Sequence, residues 1–388
     1  MIPYGKQDID QADIDAVLDV LTSDYLTQGP KVPEFEAKIA DYVGASHAVA
    51  VNSGTSALHM ACKALGLGAG DWLWTTPITF VASANCGLYC GAQVDFVDID
   101  PATWNLCPKA LEVKLVQAER AGRLPAIVVV VHLCGEPCDM QAIGDLAQRY
   151  GFRVIEDASH ALGARYQGEP IGGCRYSDVT VFSFHPVKAI TTAEGGMAVT
   201  NSQTLARNMA LLRSHGITRF PEQMTHEPDG PWYYQQVELG FNYRMTDLQA
   251  ALGISQADKL ERLVARRHEL ALRYDRLLAS FPLVRPYRNP ENYSGMHLYV
   301  VRLKPGEVAR THRDVFECLR NQGIGVNLHY IPVHTQPYYQ AMGFDPDDFP
   351  EAMNYYREAI TLPLFGTMQD SQQDQVVDAL AKALRDES

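Results

Sequence analysis

The chain reads as an α/β protein on a mainly parallel sheet, and three observations predict this. Short apolar runs alternate with helical stretches from residue 48 to residue 157, the order that gives a parallel sheet with helices on both faces. The run Ala126 to Leu133 is apolar without a break, as a strand buried on both faces must be. Asn52, Asp157 and Lys188 stand at or just beyond the ends of such runs, where an open sheet of this kind places its ligands.

The elements follow in order. Residues 10–22 place Ile14, Val17, Leu18 and Leu21 on one helical stripe. Tyr25-Leu26-Thr27-Gln28-Gly29-Pro30 breaks that pattern and makes a loop. Residues 33–43 are helical, with Phe35, Ile39 and Val43 in step. Strands are predicted at 48–51, 72–76, 94–99, 126–133 and 153–156, and helices at 57–65, 79–91 and 139–150. The apolar run Val179 to Phe184 is a further strand, and Met197 to Val199 follows Gly195-Gly196 as another. Thr246 caps a long, charge-rich helix running to about Ser280. Beyond it, strands at 297–303 and 325–330 flank a helix at 311–322. We therefore expect a large domain over residues 1–250, and a linking helix with a small α+β domain over 251–388.

The totals restrict function. A chain of 388 residues with 46% hydrophobic and 20% charged residues is an ordinary globular protein with room for a large core. The formal net charge of −13 argues against the basic face that nucleic-acid backbones require. The opening MIPYGKQDID has neither the apolar core nor the cleavage site of a secretory leader. No apolar stretch approaches the roughly 18–20 residues of a membrane span. The expectation is a cytoplasmic protein without nucleic-acid or membrane partners. Cys86 and Cys90 have C-x3-C spacing, as do Cys134 and Cys138. That is not the zinc-knuckle spacing, and no histidine pair completes a site; buried free thiols and no metal are expected.

Four features carry chemistry. Asn52-Ser53-Gly54-Thr55-Ser56 lies between a strand and a helix, where small residues let N–H groups and hydroxyls approach a phosphate. Asp157 ends an apolar strand, with His160 on the same face three residues on. Phe80 stands beyond another strand end and offers a flat ring. Ser183 lies near the end of the strand 179–184, and Lys188 follows it. Taken singly these are a helix cap, a capping carboxylate, a core ring and a surface charge. Together they are what pyridoxal phosphate needs: an amine for its aldehyde, an acid for its ring nitrogen, a partner for its ring and a phosphate cup. Lys188 would hold the cofactor and act as base and acid.

The segments NSGTSAL (52–58), PITFVASAN (77–85), EDASHALGA (156–164), FSFHPVK (182–188), EGG (194–196) and GFNYRMTDLQAALG (240–253) resemble the sugar aminotransferases of the DegT/DnrJ/EryC1/StrS family over nearly the whole chain. The resemblance implies the aspartate-aminotransferase fold: a large domain with a mainly parallel, seven-stranded sheet and a small carboxy-terminal domain. It also implies a homodimer with shared active sites, in which Asn242 reaches the partner's cofactor phosphate. The family's lysine, acid and phosphate-side serine fall on Lys188, Asp157 and Ser183, and His160 matches a position beside the ring. Two positions depart: Ala189 follows the lysine in place of proline, and Ala193 precedes Glu194 where glycine is common.

A narrower likeness, in YLTQGP (25–30), HGITR (215–219), GIGVNLHYIPVHTQPYY (323–339) and AITLPLF (359–365), is to the pseudaminic acid branch of that family. It implies amino transfer from L-glutamate to C4 of a UDP-linked 4-keto-6-deoxy-2-acetamido sugar. The alternatives are another nucleotide-linked keto sugar, such as a GDP-4-keto-6-deoxyhexose, or a PLP-binding sensor without turnover. Tyr25, Thr27, His185, Arg219, His329, Tyr330 and His334 fall in the substrate-facing stretches, and Lys6, Lys31 or Arg219 would offset the diphosphate.

Overall fold

The computed structural model describes residues 1–385. Seven strands form the central sheet: β1 (His47–Val51), β2 (Trp72–Thr75), β3 (Gln93–Phe96), β4 (Ile127–Val131), β5 (Arg153–Asp157), β6 (Val179–Ser183) and β7 (Gly196–Thr200). Their spatial order is β1-β7-β6-β5-β4-β2-β3. Strands β2 to β6 pair in parallel, while β7 runs antiparallel to both β1 and β6.

Alternation along the strands sorts side chains into two cores. Ile127 and Val129 of β4 join the cluster holding Leu58, Met60 and Ile155. Val128 and Val130 join the opposite cluster, with Phe35, Ile39 and Phe182. Each fully buried side chain of this size contributes about 1.5–3 kcal/mol. The helices over the sheet are α1 (Gln11–Leu21), α2 (Lys31–Val43), α3 (Gly54–Ala64), α4 (Ala82–Tyr89), α5 (Pro108–Ala121), α6 (Met140–Tyr150), α7 (Gln203–Arg213), α8 (Asp247–Ala257) and α9 (Leu260–Leu277). A third core lies in the carboxy-terminal part. It packs an antiparallel sheet of β8 (Leu283–Val284), β9 (Tyr299–Leu303) and β10 (Ala359–Leu362) against α9 and the helices His312–Asn321 and Asp370–Leu384. Ile2 belongs to this core, its backbone bonded to Gly323 and Gly325.

Three expectations need correction, and two helices lie outside them. The helix α1 forms, but Ile14, Leu18 and Leu21 are about half exposed, and Asp13 and Val20 are its buried residues. The stretch from Thr246 is two helices, not one. Lys259, at the break, bonds the carboxylates of Asp10 and Asp13 and turns the chain there, although no glycine or proline marks the spot. Residues 325–330 make no strand. Asn327 pairs with Thr361, and the following residues turn into a cavity. Helices α5 and α7 were not anticipated, although Pro108 in the first turn of α5 and Gly122 after its last, at φ +64, are the usual start and stop.

Candidate active site

The carboxyl ends of β5 and β6 open onto a cavity of about 510 Å³. Asp157, the last residue of β5, is buried there. Its Oδ1 accepts from the Ser159 amide (3.1 Å) and hydroxyl (2.6 Å), and its Oδ2 accepts from the Ser83 hydroxyl (2.6 Å). A carboxylate has about four lone-pair sites, so three bonds fix its plane and leave it able to accept one more. Glu156, one residue earlier, points to the other face of the sheet. There it accepts from His132 Nε2 (2.8 Å), Ser177 and Thr180.

Lys188 sits on the loop between β6 and β7. Hydrogen bonds from Phe184 N to Gly195 O and from Thr192 N to Phe184 O hold the two ends of that loop together. Ala193 adopts φ +64, the left-handed region that costs a residue with a Cβ about 1–2 kcal/mol; this is why glycine is common there. Lys188 and Asp157 line the same cavity. Burial pulls the Lys188 amine down to about 8, partly opposed by the negative charge of Asp157.

The cup is built at the first turn of α3. Ser53 caps the helix, its hydroxyl accepting from Ser56 N (3.1 Å), and the Ser56 hydroxyl donates to Asn52 (2.7 Å). Gly54 faces Ser183 across the cup. A Cβ on Gly54 would lie 3.1 Å from the Ser183 Cβ, so the missing side chain keeps the space open. Phe80 stands at the rim, 58% exposed, with a face free to receive a ring.

Imidazoles surround the amine. His160 Nδ1 accepts from the Cys134 amide (3.3 Å), so in the neutral ring Nε2–H donates to the Tyr330 hydroxyl (3.0 Å). Burial, and then the charge of Lys188, hold His160 well below the usual histidine range. The same two causes bring His329 to about 3. His297 is lowered by burial and then by His160. Three neutral rings near one amine keep the cavity from accumulating positive charge.

Of the residues singled out from sequence, Ser53, Gly54, Thr55, Phe80, Asp157, His160, Ser183, His185, Lys188, His329 and Tyr330 line this cavity. Ser56 supports it as part of the cap. The others lie elsewhere in the protomer. Asn242 pairs its backbone with Ser214. Tyr25 is exposed, and Thr27 bridges to Thr246. Arg219 lies over the Tyr234 ring, and Lys31 pairs with Glu34. Lys6 lies behind the Lys188 loop. His334 is fully buried against Phe349, so within the protomer it is a packing residue. Ser83, Ser159, Tyr4, Glu194, His297 and Asn327 were missed. Ser83 and Ser159 fall inside the quoted segments, but nothing local joins Ser83 to an acid 74 residues away. A larger groove of about 740 Å³, lined by Asp100, Glu112 and Glu136 among others, holds none of the expected site residues.

The residues lining the cavity fit pyridoxal phosphate. The cavity has an amine of lowered pKa, an acid with one acceptor site to spare, an open phosphate cup at a helix N-terminus and an uncovered aromatic face. Fold and site together define a pyridoxal-phosphate-dependent aminotransferase of the aspartate-aminotransferase fold. Residues 7–381 match the DegT/DnrJ/EryC1/StrS aminotransferase family, and the chain belongs to it. It is 39% identical over 382 residues to the spore coat polysaccharide biosynthesis protein SpsC of Bacillus subtilis, covering 98% of this chain and 96% of that one. It is also 39% identical over 389 residues to a UDP-4-amino-4,6-dideoxy-N-acetyl-beta-L-altrosamine transaminase of Campylobacter jejuni, covering 99% and 98%. Among solved structures, Helicobacter pylori PseC, an aminotransferase involved in the biosynthesis of pseudoaminic acid, superposes with a TM-score of 0.90 at 30% identity, covering 99% of each chain. The PLP-form of a sugar aminotransferase described as putative, Spr1654 from Streptococcus pneumoniae, gives 0.88 at 30%, covering 99% of this chain and all of that one. Among the described residues no helix is long and apolar enough to cross a membrane.

Proposed function

We propose that this protein transfers the amino group of L-glutamate to C4 of a UDP-linked 4-keto-6-deoxy-2-acetamido sugar. The observation that carries the reaction class is the meeting of Lys188 and Asp157 in one cavity behind a phosphate cup. The sugar is supported by the likeness to the Campylobacter transaminase and to PseC over nearly the full chain.

Pyridoxal phosphate, when bound, supplies an electron sink for the bonds broken at the amine-bearing carbon. The roles of the chain's own residues follow from their surroundings. The N-terminus of α3, with Ser53, Gly54, Thr55 and Ser183, holds the phosphate. Asp157, fixed by Ser83 and Ser159, keeps a proton on the ring nitrogen through its remaining lone pair. Phe80 and His160, both lining the cavity, would flank the ring. The Lys188 amine, part neutral at physiological pH, takes up and returns protons at Nζ. His185, His329 and Tyr330 face the sugar.

The homodimer is part of the same proposal. Asn242 does not enter its own cavity, and the exposed apolar Ile14, Leu18, Leu21 and Leu26 leave a surface for a second copy. A cytoplasmic location fits an enzyme of nucleotide sugars. A second reading, another nucleotide-linked keto sugar, is favoured by the equal identity to SpsC. Half-reactions of the amine-loaded enzyme against UDP- and GDP-linked keto sugars decide between them. Turnover of the UDP-4-keto-6-deoxy-2-acetamido sugar is expected; turnover of a GDP sugar with no response to the UDP sugar would overturn the assignment.

A further inference from the structure

One imidazole in the active-site cavity has no hydrogen-bond partner. Three buried histidines line that cavity with Lys188: His160, His297 and His329. His160 uses Nδ1 for the Cys134 amide (3.3 Å) and Nε2 for the Tyr330 hydroxyl (3.0 Å). His329 uses Nδ1 for the Thr361 hydroxyl (2.9 Å) and Nε2 for the Asn327 side-chain amide (3.4 Å). His297, 4% exposed, uses neither nitrogen among the described residues. Its Nδ1 is sealed in by protein, so the cavity reaches the ring at Nε2.

The ring is nonetheless held in place. The His297 amide donates to Cys134 O (2.9 Å), and the buried Arg267 of α9 donates to His297 O (3.0 Å) and Leu364 O (3.0 Å). The His160 ring lies 4.3 Å away, centroid to centroid, tilted by 42°. Met296 adopts φ +45 to bring the turn around, a costly conformation for a residue with a Cβ. A buried polar group left without a partner is a cost as well. A rigid turn that keeps such a group aimed at a cavity is preorganised for a ligand.

The chemistry around the ring says which ligand. The cup, Asp157 and Lys188 answer the phosphate, ring nitrogen and aldehyde of the cofactor. The amino donor brings carboxylates, and a carboxylate leaving water needs a cation or hydrogen-bond donors. Among the described residues lining the cavity there is no arginine, and Lys188 is the one lysine. The α-carboxylate is one bond from the carbon that bears the reacting amine, so it is the carboxylate that enters deepest beside Lys188. We propose that His297 receives the α-carboxylate of the amino donor through Nε2–H. This rests on the amino transfer from L-glutamate proposed above. Burial, and then His160, keep the ring neutral, so the bond is made by an uncharged donor and no charge stays behind when the keto acid leaves.

The test is calorimetric binding of glutarate, the donor's carbon chain without its amine, to the pyridoxal-phosphate-loaded enzyme, with the KM of L-glutamate as a second readout. His297→Leu is expected to weaken both about 10- to 100-fold, the factor for a hydrogen bond to a charged group. His297→Gln, whose amide nitrogen falls near the place of Nε2, is expected to stay within about threefold of wild type. His297→Asn, whose nitrogen falls near the place of Nδ1, is expected to lose as much as the leucine variant. Cofactor affinity and the KM of the keto sugar are expected to change less than about threefold throughout. Because the ring has no partner in the free protein, the urea midpoint of cofactor-free His297→Leu is expected to be no lower than that of wild type. A ring that only packs would give the reverse, a lower midpoint with glutarate binding unchanged. Glutarate and glutamate indifferent to the residue at 297, Asn binding better than Gln, or a keto-sugar KM that rises as far as that of glutamate would each overturn the inference. Wild-type enzyme that takes no amine from glutamate would overturn the proposed reaction with it, whereas intact amino transfer indifferent to residue 297 overturns this inference alone. The contrast between Gln and Asn decides it even where His297→Leu does not fold.

Discussion

The amine of Lys188 gives the sharpest prediction. Burial brings it to about 8, against about 10.4 for an ordinary lysine. At pH 7.5 roughly 25% of Lys188 is then neutral, where an ordinary lysine is about 0.1% neutral, an excess of roughly 200-fold. Only the neutral amine attacks an aldehyde. In cofactor-free enzyme, covalent capture of pyridoxal phosphate, trapped by borohydride at short times, is expected to rise with pH and level off above about 8. Asp157 adds a test of cause. Its charge holds the amine up against burial, so Asp157→Asn is expected to move the midpoint to lower pH. A capture rate still climbing beyond pH 10, or a midpoint that rises in Asp157→Asn, would refute the reasoning.

Three other outcomes follow from the same geometry. Lys188→Met is expected to stabilise the cofactor-free protein at pH 7. The lowered pKa means the unfolded chain holds a proton between about pH 8 and 10.5 that the folded chain lacks, so the native lysine destabilises fully below 8 and ceases to do so above 10.5. The full shift corresponds to about 3 kcal/mol, reduced to about 2 for partial exposure, and urea unfolding at pH 7 and pH 10.5 reads it. Gly54→Ala brings a Cβ to 3.1 Å from that of Ser183; cofactor binding measured by absorbance is expected to weaken about tenfold, with unfolding of the free protein changed by less than about 1 kcal/mol. His132→Ala removes one of the three donors to the buried Glu156 carboxylate and is expected to cost about 1.5–3 kcal/mol at pH 7, the range for a hydrogen bond to a charged group. Burial works to raise the Glu156 carboxyl, but the His132 contact, with Ser177 and Thr180, holds it below the usual range. The pair's stabilisation is therefore complete above the ordinary carboxylate pKa and lost as pH falls through the lowered one, which acid unfolding of the wild type measures.

The site was legible where it depends on strand ends. Asp157 and Ser183 end strands in the structure and lie within one residue of the strand ends read from the pattern, and Gly54 begins α3. The Ser53–Ser56 turn at the start of α3 follows from local order, while Ser183 joins it from a later strand. What was not legible depends on contacts across the chain. Ser83 supports Asp157 from another helix, and His297 enters from the carboxy-terminal part. His334 shares a segment with His329, yet one faces the cavity and the other the core, which no periodicity in a non-repeating loop can tell apart. The apolar stripe of α1 has a helical period, but period does not say whether the covering surface belongs to the same protomer. The break at Lys259 is set by Asp10 and Asp13, far back in the chain. Ala193 shows the opposite case: a departure visible in sequence, explained by its backbone angle.

The account stands or falls on which side chain carries the cofactor. Borohydride reduction of the pyridoxal-phosphate-loaded enzyme, followed by peptide mass mapping, is expected to place one phosphopyridoxyl group on Lys188 and on no other lysine. A group on a different lysine, or none on an enzyme that still transfers amines, would contradict it.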